Sequence, residues 1–85
     1  MDNTNATRVA VISIIVDEPE CVPAINEILH SASESIIGRM GIPYRERNIS
    51  IISVVVDAPQ DVINNISGRL GRLHGATVKT SYSKK

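Results

Sequence analysis

The chain has 85 residues, a length that fits one domain. Its nine basic and nine acidic residues cancel to a formal charge of zero, removing the broad positive field that non-specific nucleic-acid binding relies on. A single cysteine, Cys21, excludes an internal disulfide and any Cys-paired metal motif, and fits a reducing, cytoplasmic setting. There is no Phe or Trp among the 42% apolar residues, so aliphatic side chains must build the core. No apolar run approaches the ~18 residues that span a bilayer, and no charged leader precedes an apolar cleavage region.

In chain order, residues 1–7 are polar and without apolar period, which predicts a flexible tail ahead of one domain over residues 8–83. Arg8 to Val16 is β-branched and closed by Asp17 and Pro19, the pattern of a strand. From Glu20 the spacing changes to the three-and-four rhythm of a helix face: Val22, Ile25, Ile28, Leu29 and Ala32. Pro23 fits its first turn, and the helix should end near Ser33. Two extended runs follow, Ile36 to Ile42 and Ile49 to Val56, joined by the polar segment 43–48. Val62, Ile66, Leu70 and Leu73 predict a second helix, with Gly75 placed to cap it. A last strand runs from Ala76 to Tyr82.

An internal repeat organises these elements. Ile12-Ser13, Val16-Asp17, Pro19 and Val22 recur at an offset of 40 residues as Ile52-Ser53, Val56-Asp57, Pro59 and Val62. Two strand–helix–strand units in tandem, with right-handed crossovers, give an α+β ferredoxin-like βαββαβ fold. It has a four-stranded antiparallel sheet, the first and third strands central and both helices on one face.

Alternation along the central strands separates two sets of side chains. Ala10, Ile12, Ile14, Val16, Ile52, Val54 and Val56 suit the helix side. Val9, Val11, Ser13, Ile15, Ile49, Ile51, Ser53 and Val55 occupy the other face, which is too apolar to be left in water. Continuing the alternation outward puts Arg39, Thr77, Lys79 and Ser81 around that aliphatic centre, the anatomy of an interface. The expectation is a homo-oligomer, dimer or tetramer, packed sheet to sheet. The competing expectation is that a longer loop or the amino-terminal tail folds over the sheet.

The chemistry-bearing residues give no catalytic pattern. The strand–helix turns at Asp17-Glu18-Pro19 and Asp57-Ala58-Pro59 lie where backbone N–H groups can receive a ligand, although capping and turn formation are the more ordinary explanation. His30 and Glu34 are four apart and can face one side of a helix end; a histidine there also complements the helix dipole. The ligand-binding candidates are therefore Asp17, Glu18, His30, Glu34, Arg39 and Asp57. His74, before Gly75, has the same dipole explanation. Cys21 reads as a small buried hydrophobe. The glycine-rich stretches 38–41 and 68–71 read as turns and match no phosphate-cradle spacing. RNA recognition on this topology needs aromatic residues on the central strands, and Tyr44 and Tyr82 lie elsewhere. Neither a catalytic residue, a cofactor nor a metal is expected, and DNA binding by this chain alone is disfavoured. An oligomer that aligned Arg69, Arg72, Lys79, Lys84 and Lys85 would be the exception.

Five segments together carry a family resemblance: Asn26-Glu27-Ile28-Leu29-His30, Ser33-Glu34, Arg39-Met40-Gly41-Ile42-Pro43, Ser67-Gly68-Arg69-Leu70-Gly71 and Val78-Lys79-Thr80. From Val9 to Lys79 the chain resembles the iron-only hydrogenase system regulator family. The resemblance implies an ACT-like or nickel-repressor-sensor-like domain, encoded near iron-only hydrogenase maturation genes in anaerobic bacteria and labelled a transcriptional regulator. It implies a non-catalytic, ligand-sensing role. The ribbon-helix-helix DNA-binding segment and the clustered histidines of the nickel-responsive repressors have no counterpart in this sequence, so nickel sensing is not carried over. An alternative role is an interaction module for hydrogenase maturation proteins, with the apolar sheet face meeting another protein instead of a second copy.

Overall fold

The structure, a computed structural model, describes residues 6–85. Six elements follow in order: β1 (Thr7–Val16), α1 (Val22–Ser31), β2 (Ile36–Tyr44), β3 (Ile49–Pro59), α2 (Gln60–Gly71) and β4 (Ala76–Tyr82). The sheet order is β2-β3-β1-β4, all pairs antiparallel, with the first and third strands central. This is the ferredoxin-like α+β fold expected from the repeat. Of the tail expected over residues 1–7, residues 1–5 lie outside the described residues, and Thr7 already belongs to β1.

The repeat explains the register at the sheet centre. Ile12, Ser13 and Ile14 face Val54, Ser53 and Ile52, so the repeat-equivalent serines meet across the β1–β3 pair. The even-numbered residues of both strands then point to the helical layer. Ala10, Ile12, Ile14 and Val16 pack there with Ile52, Val54, Val56 and Ala58. Ile25, Ile28 and Leu29 of α1 and Ile63, Ile66 and Leu70 of α2 complete this core, each such side chain contributing roughly 1.5–3 kcal/mol on full burial. No polar or charged residue is buried among the described residues.

Several boundaries move from the sequence expectation. α1 ends at Ser31 because Ala32 leaves helical geometry (φ −109°, ψ 18°), and a one-turn 3-10 helix, Ser33–Ser35, leads into β2. β2 reaches Tyr44 and takes in Pro43, which is tolerated because β2 is an edge strand. β3 continues past Val56 to Pro59, held by pairing of Ala58 with Arg8 and Pro59 with Thr7. The stretch 38–41 is strand and 68–71 is helix, neither of them a turn.

Gly75 does not cap α2, which ends four residues earlier with the Arg72 N–H donating to the Gly68 carbonyl. It sits instead in the turn before β4 at φ 94°, where its carbonyl accepts the Asp17 N–H at 2.9 Å. A Cβ there would lie 2.6 Å from the Glu18 Cβ. Left-handed backbone and close approach therefore both demand glycine. Gly75→Ala is expected to lower unfolding free energy by about 1–3 kcal/mol, read from urea midpoints. Gly41→Ala, where a Cβ meets nothing within 4 Å, should shift the midpoint far less.

Candidate functional site

Among the described residues, no element covers the face of the sheet away from the helices, and Val9 and Ile15 are exposed on it. Register confirms that Val9, Val11, Ser13 and Ile15 share it with Asp57, Val55, Ser53 and Ile51, and Ile49 lies at its end. Thr77, Lys79 and Ser81 of β4 join it opposite Ile15, Ser13 and Val11, as alternation predicts.

Arg39 does not. Ile36 pairs with Val56 and Gly38 with Val55, leaving Ile37 as an extra residue in a β-bulge. Beyond the bulge, Arg39 faces Val54 on the helical side instead of Ser53 on the open side. Met40, Ile42 and Tyr44 therefore turn onto the open face opposite Ser53, Ile51 and Ile49. Met40 is 59% exposed and Ile42 47%. The apolar patch thus extends over β1, β3 and β2 to the sheet edge, and its polar border runs along β4, with Asp57 at one end of β3. Sequence alternation carried no sign of the extra residue beyond Gly38 itself, since glycine inside a strand often marks a bulge.

The same bulge aims Arg39 into a groove between α1 and β2. Asn26, Leu29, His30, Ser33, Ile36 and Arg39 line one part of it. A second part, sharing Asn26 and Arg39, continues past Gly41 and Pro43. Arg39 Nη2 donates to Asn26 Oδ1 at 3.2 Å. All of β2 after Ile36 is exposed, so neither helix closes over it.

The other sequence candidates lie apart. Asp17 and Glu18 follow β1 and are tied by their N–H groups to the Gly75 carbonyl, and Glu18 Oε2 lies 2.9 Å from His74 Nε2 at the surface. Asp57 is an exposed strand residue at the opposite end of the sheet, opposite Val9. The two repeat-equivalent turns are therefore neither adjacent nor alike. Glu34 is exposed in the 3-10 turn and does not line the groove with His30. Among the described residues, no group of three or more His, Cys, Asp or Glu side chains is placed to hold a metal ion. No described helix is long and apolar enough to cross a membrane.

One polar cluster was not anticipated from sequence. Arg8 lies 4.3 Å over the Tyr82 ring and donates to Gln60 Oε1 at 2.7 Å. Gln60 Nε2 reaches the Tyr82 hydroxyl at 2.7 Å and Asn64 Oδ1 at 2.9 Å. It clasps the start of β1, the start of α2 and the end of β4, and its members are too far apart in sequence to form a motif.

The family model described as "Iron-only hydrogenase system regulator, putative" matches residues 8–80. The chain belongs to this TM1266-like family. The solved structure of the uncharacterized protein TM1266 from Thermotoga maritima is 39% identical, with a TM-score of 0.88, covering 92% of this chain and 99% of that one. A formyltetrahydrofolate deformylase from Pseudomonas putida KT2440 shares the fold alone, at 10% identity and a TM-score of 0.63, covering 86% of this chain and 28% of the enzyme. Among curated proteins no relative matches the sequence.

Cys21, just ahead of α1, is part of the core of this family member. Burial pushes its thiol pKa above the usual 9.0, and the carboxylates of Glu18, Asp17 and Glu20 add to the rise, against a lowering by its backbone hydrogen bond. The fold therefore favours the protonated thiol. That stability is fully present below the unfolded thiol's pKa and is lost as pH rises through the higher folded value. Urea midpoints are expected to fall from about pH 9 upward, with the alkaline loss smaller in Cys21→Ala than in the parent chain.

Proposed function

We propose that this chain is a non-catalytic regulatory module of an iron-only hydrogenase system. On this reading it works in the cytoplasm as a homo-oligomer joined through the open sheet face and responds to a small-molecule effector. Family membership supports the regulatory role. The observation that carries the assembly is the open face itself, where Val9, Val11, Ile15, Ile49, Ile51 and Val55 are extended by Met40, Ile42 and Tyr44. Residues that pack no core and still form one continuous apolar surface match the buried centre of an interface.

Regulation on this reading proceeds through a protein or ligand contact and not through DNA held by one protomer. The formal charge is zero, and two of the basic residues that a strip would have to align, Lys79 and Arg69, lie on opposite sides of the sheet. Lys79 lies on the open face opposite Ser13, whereas Arg69 belongs to α2 on the other side, 3.3 Å from Ser31 Oγ.

The test is mass in solution by light scattering, with Ile51→Lys and Val55→Asp as variants that leave the core untouched. The parent chain is expected at two or four protomers and both variants at one. In a host carrying an iron-only hydrogenase, Val55→Asp should also abolish the effect of this gene on hydrogenase transcripts. A parent chain that is already monomeric would overturn self-association and favour a hydrogenase maturation protein on the same face. Unchanged mass in both variants would overturn the placement of the interface.

A further inference from the structure

We infer that the groove between α1 and β2 binds a small organic carboxylate with a short aliphatic tail, its headgroup held by Arg39, Asn26, Ser33 and His30. This rests on the effector-sensing reading above and names the place and chemistry of the effector.

The bulge at Ile37 is the first reason. An extra residue in an edge strand re-aims the side chains that follow it, a device concentrated beside binding sites. Here it carries Arg39 from the open face to the groove. Its repeat counterpart Lys79, in the regularly paired β4, stays on the open face opposite Ser13. The duplication thus supplies its own comparison: equivalent cations take opposite sides of the sheet because one strand is bulged.

The second reason is charge. The chain has nine acidic residues, and none lines either part of the groove. Among the described residues, no carboxylate stands within salt-bridge distance of Arg39. Its guanidinium is held instead by a neutral amide oxygen, that of Asn26, which fixes its position without cancelling its charge. That contact occupies one of the five guanidinium donors and leaves a fork suited to a carboxylate. Ser33 and His30, a hydroxyl-bearing and an imidazole-bearing residue, line the same part of the groove.

The third reason is the floor. Leu29 is buried in the core and Ile36 is half-buried against it, so an aliphatic tail meets apolar surface beneath the polar rim, the usual composition of a small-molecule site. A nucleotide would need more than one arginine or a glycine-rich cradle of backbone N–H groups, and a metal cation would need several carboxylate, histidine or cysteine ligands together. The groove offers neither.

The probe is sodium butyrate, titrated into the full chain at constant ionic strength and followed by backbone amide chemical shifts. Saturable shifts are expected at Asn26, His30, Ser33, Ile36 and Arg39, with half-saturation at or below about 50 mM for so small a probe. Butylammonium chloride should move none of them. Arg39→Gln should weaken butyrate by about tenfold or more while its thermal midpoint stays near that of the parent chain, because Arg39 is exposed. Asn26→Ala, which frees the guanidinium from its anchor, should weaken it less. Linear, unsaturated shifts, or equal affinity in parent and Arg39→Gln, would overturn the site. Inorganic phosphate binding the same amides as tightly as butyrate would overturn the aliphatic-carboxylate assignment. Failure of butyrate binding while Val55→Asp still abolishes regulation would overturn this inference and leave the assembly reading standing. Saturable binding in a chain without regulatory effect would do the reverse.

Discussion

Everything in this fold depends on the antiparallel pairing of β1 with β3. Because the two repeat copies meet with Ser13 facing Ser53, the even-numbered aliphatic residues of both copies fall on one side together. A slip of one residue would send that whole set to the other face. The helices then need only supply one stripe each, Ile25, Ile28 and Leu29 from α1 and Ile63, Ile66 and Leu70 from α2. The crossovers follow from the same pairing, since each helix must return its chain to an outer position beside the central pair.

Symmetry ends at the outer strands. β4 pairs with β1 residue for residue from Ala76 to Tyr82, whereas β2 accommodates Ile37 as an extra residue against β3. The consequence is local in cause and broad in effect. It removes a cation from the open face, adds Met40, Ile42 and Tyr44 to it, and places Arg39 over Asn26. The β2 part of the apolar surface and the placement of Arg39 in the groove are thus both products of a single inserted residue.

What could be read in advance follows from this contrast. Periodicity is a property of many residues at once, so the strands, the helices, the core set and the central part of the open face were all legible before the structure. Features set by one residue or by distant partners were not. Ile37 simply follows Ile36 as a second β-branched residue, so alternation counted straight through it and misplaced Arg39. Asp57-Ala58-Pro59 reads as a turn by composition, yet Arg8 and Thr7 pair with it as strand. Gly75 resembles a helix cap in sequence, but its left-handed backbone serves the turn that receives the Asp17 N–H. In each case the deciding partner lies far along the chain.

The apolar excess on the second face bears on what the molecule is for. A domain of this size buries only about 60% of its unfolded surface, and its core here is complete on the helical side alone, without a buried polar group among the described residues. Ile15, Ile42 and Met40 add nothing to that core and remain exposed, where they cost solubility and invite edge association. A sheet meant for water on one side carries polar residues there, as β4 does with Thr77, Lys79 and Ser81. The excess is concentrated on β1, β3 and the edge strand β2, whose alternate residues border the groove beneath. Successive side chains of β2, Arg39 and Met40, therefore serve two surfaces, so that whatever orders this strand from one face also orders the other.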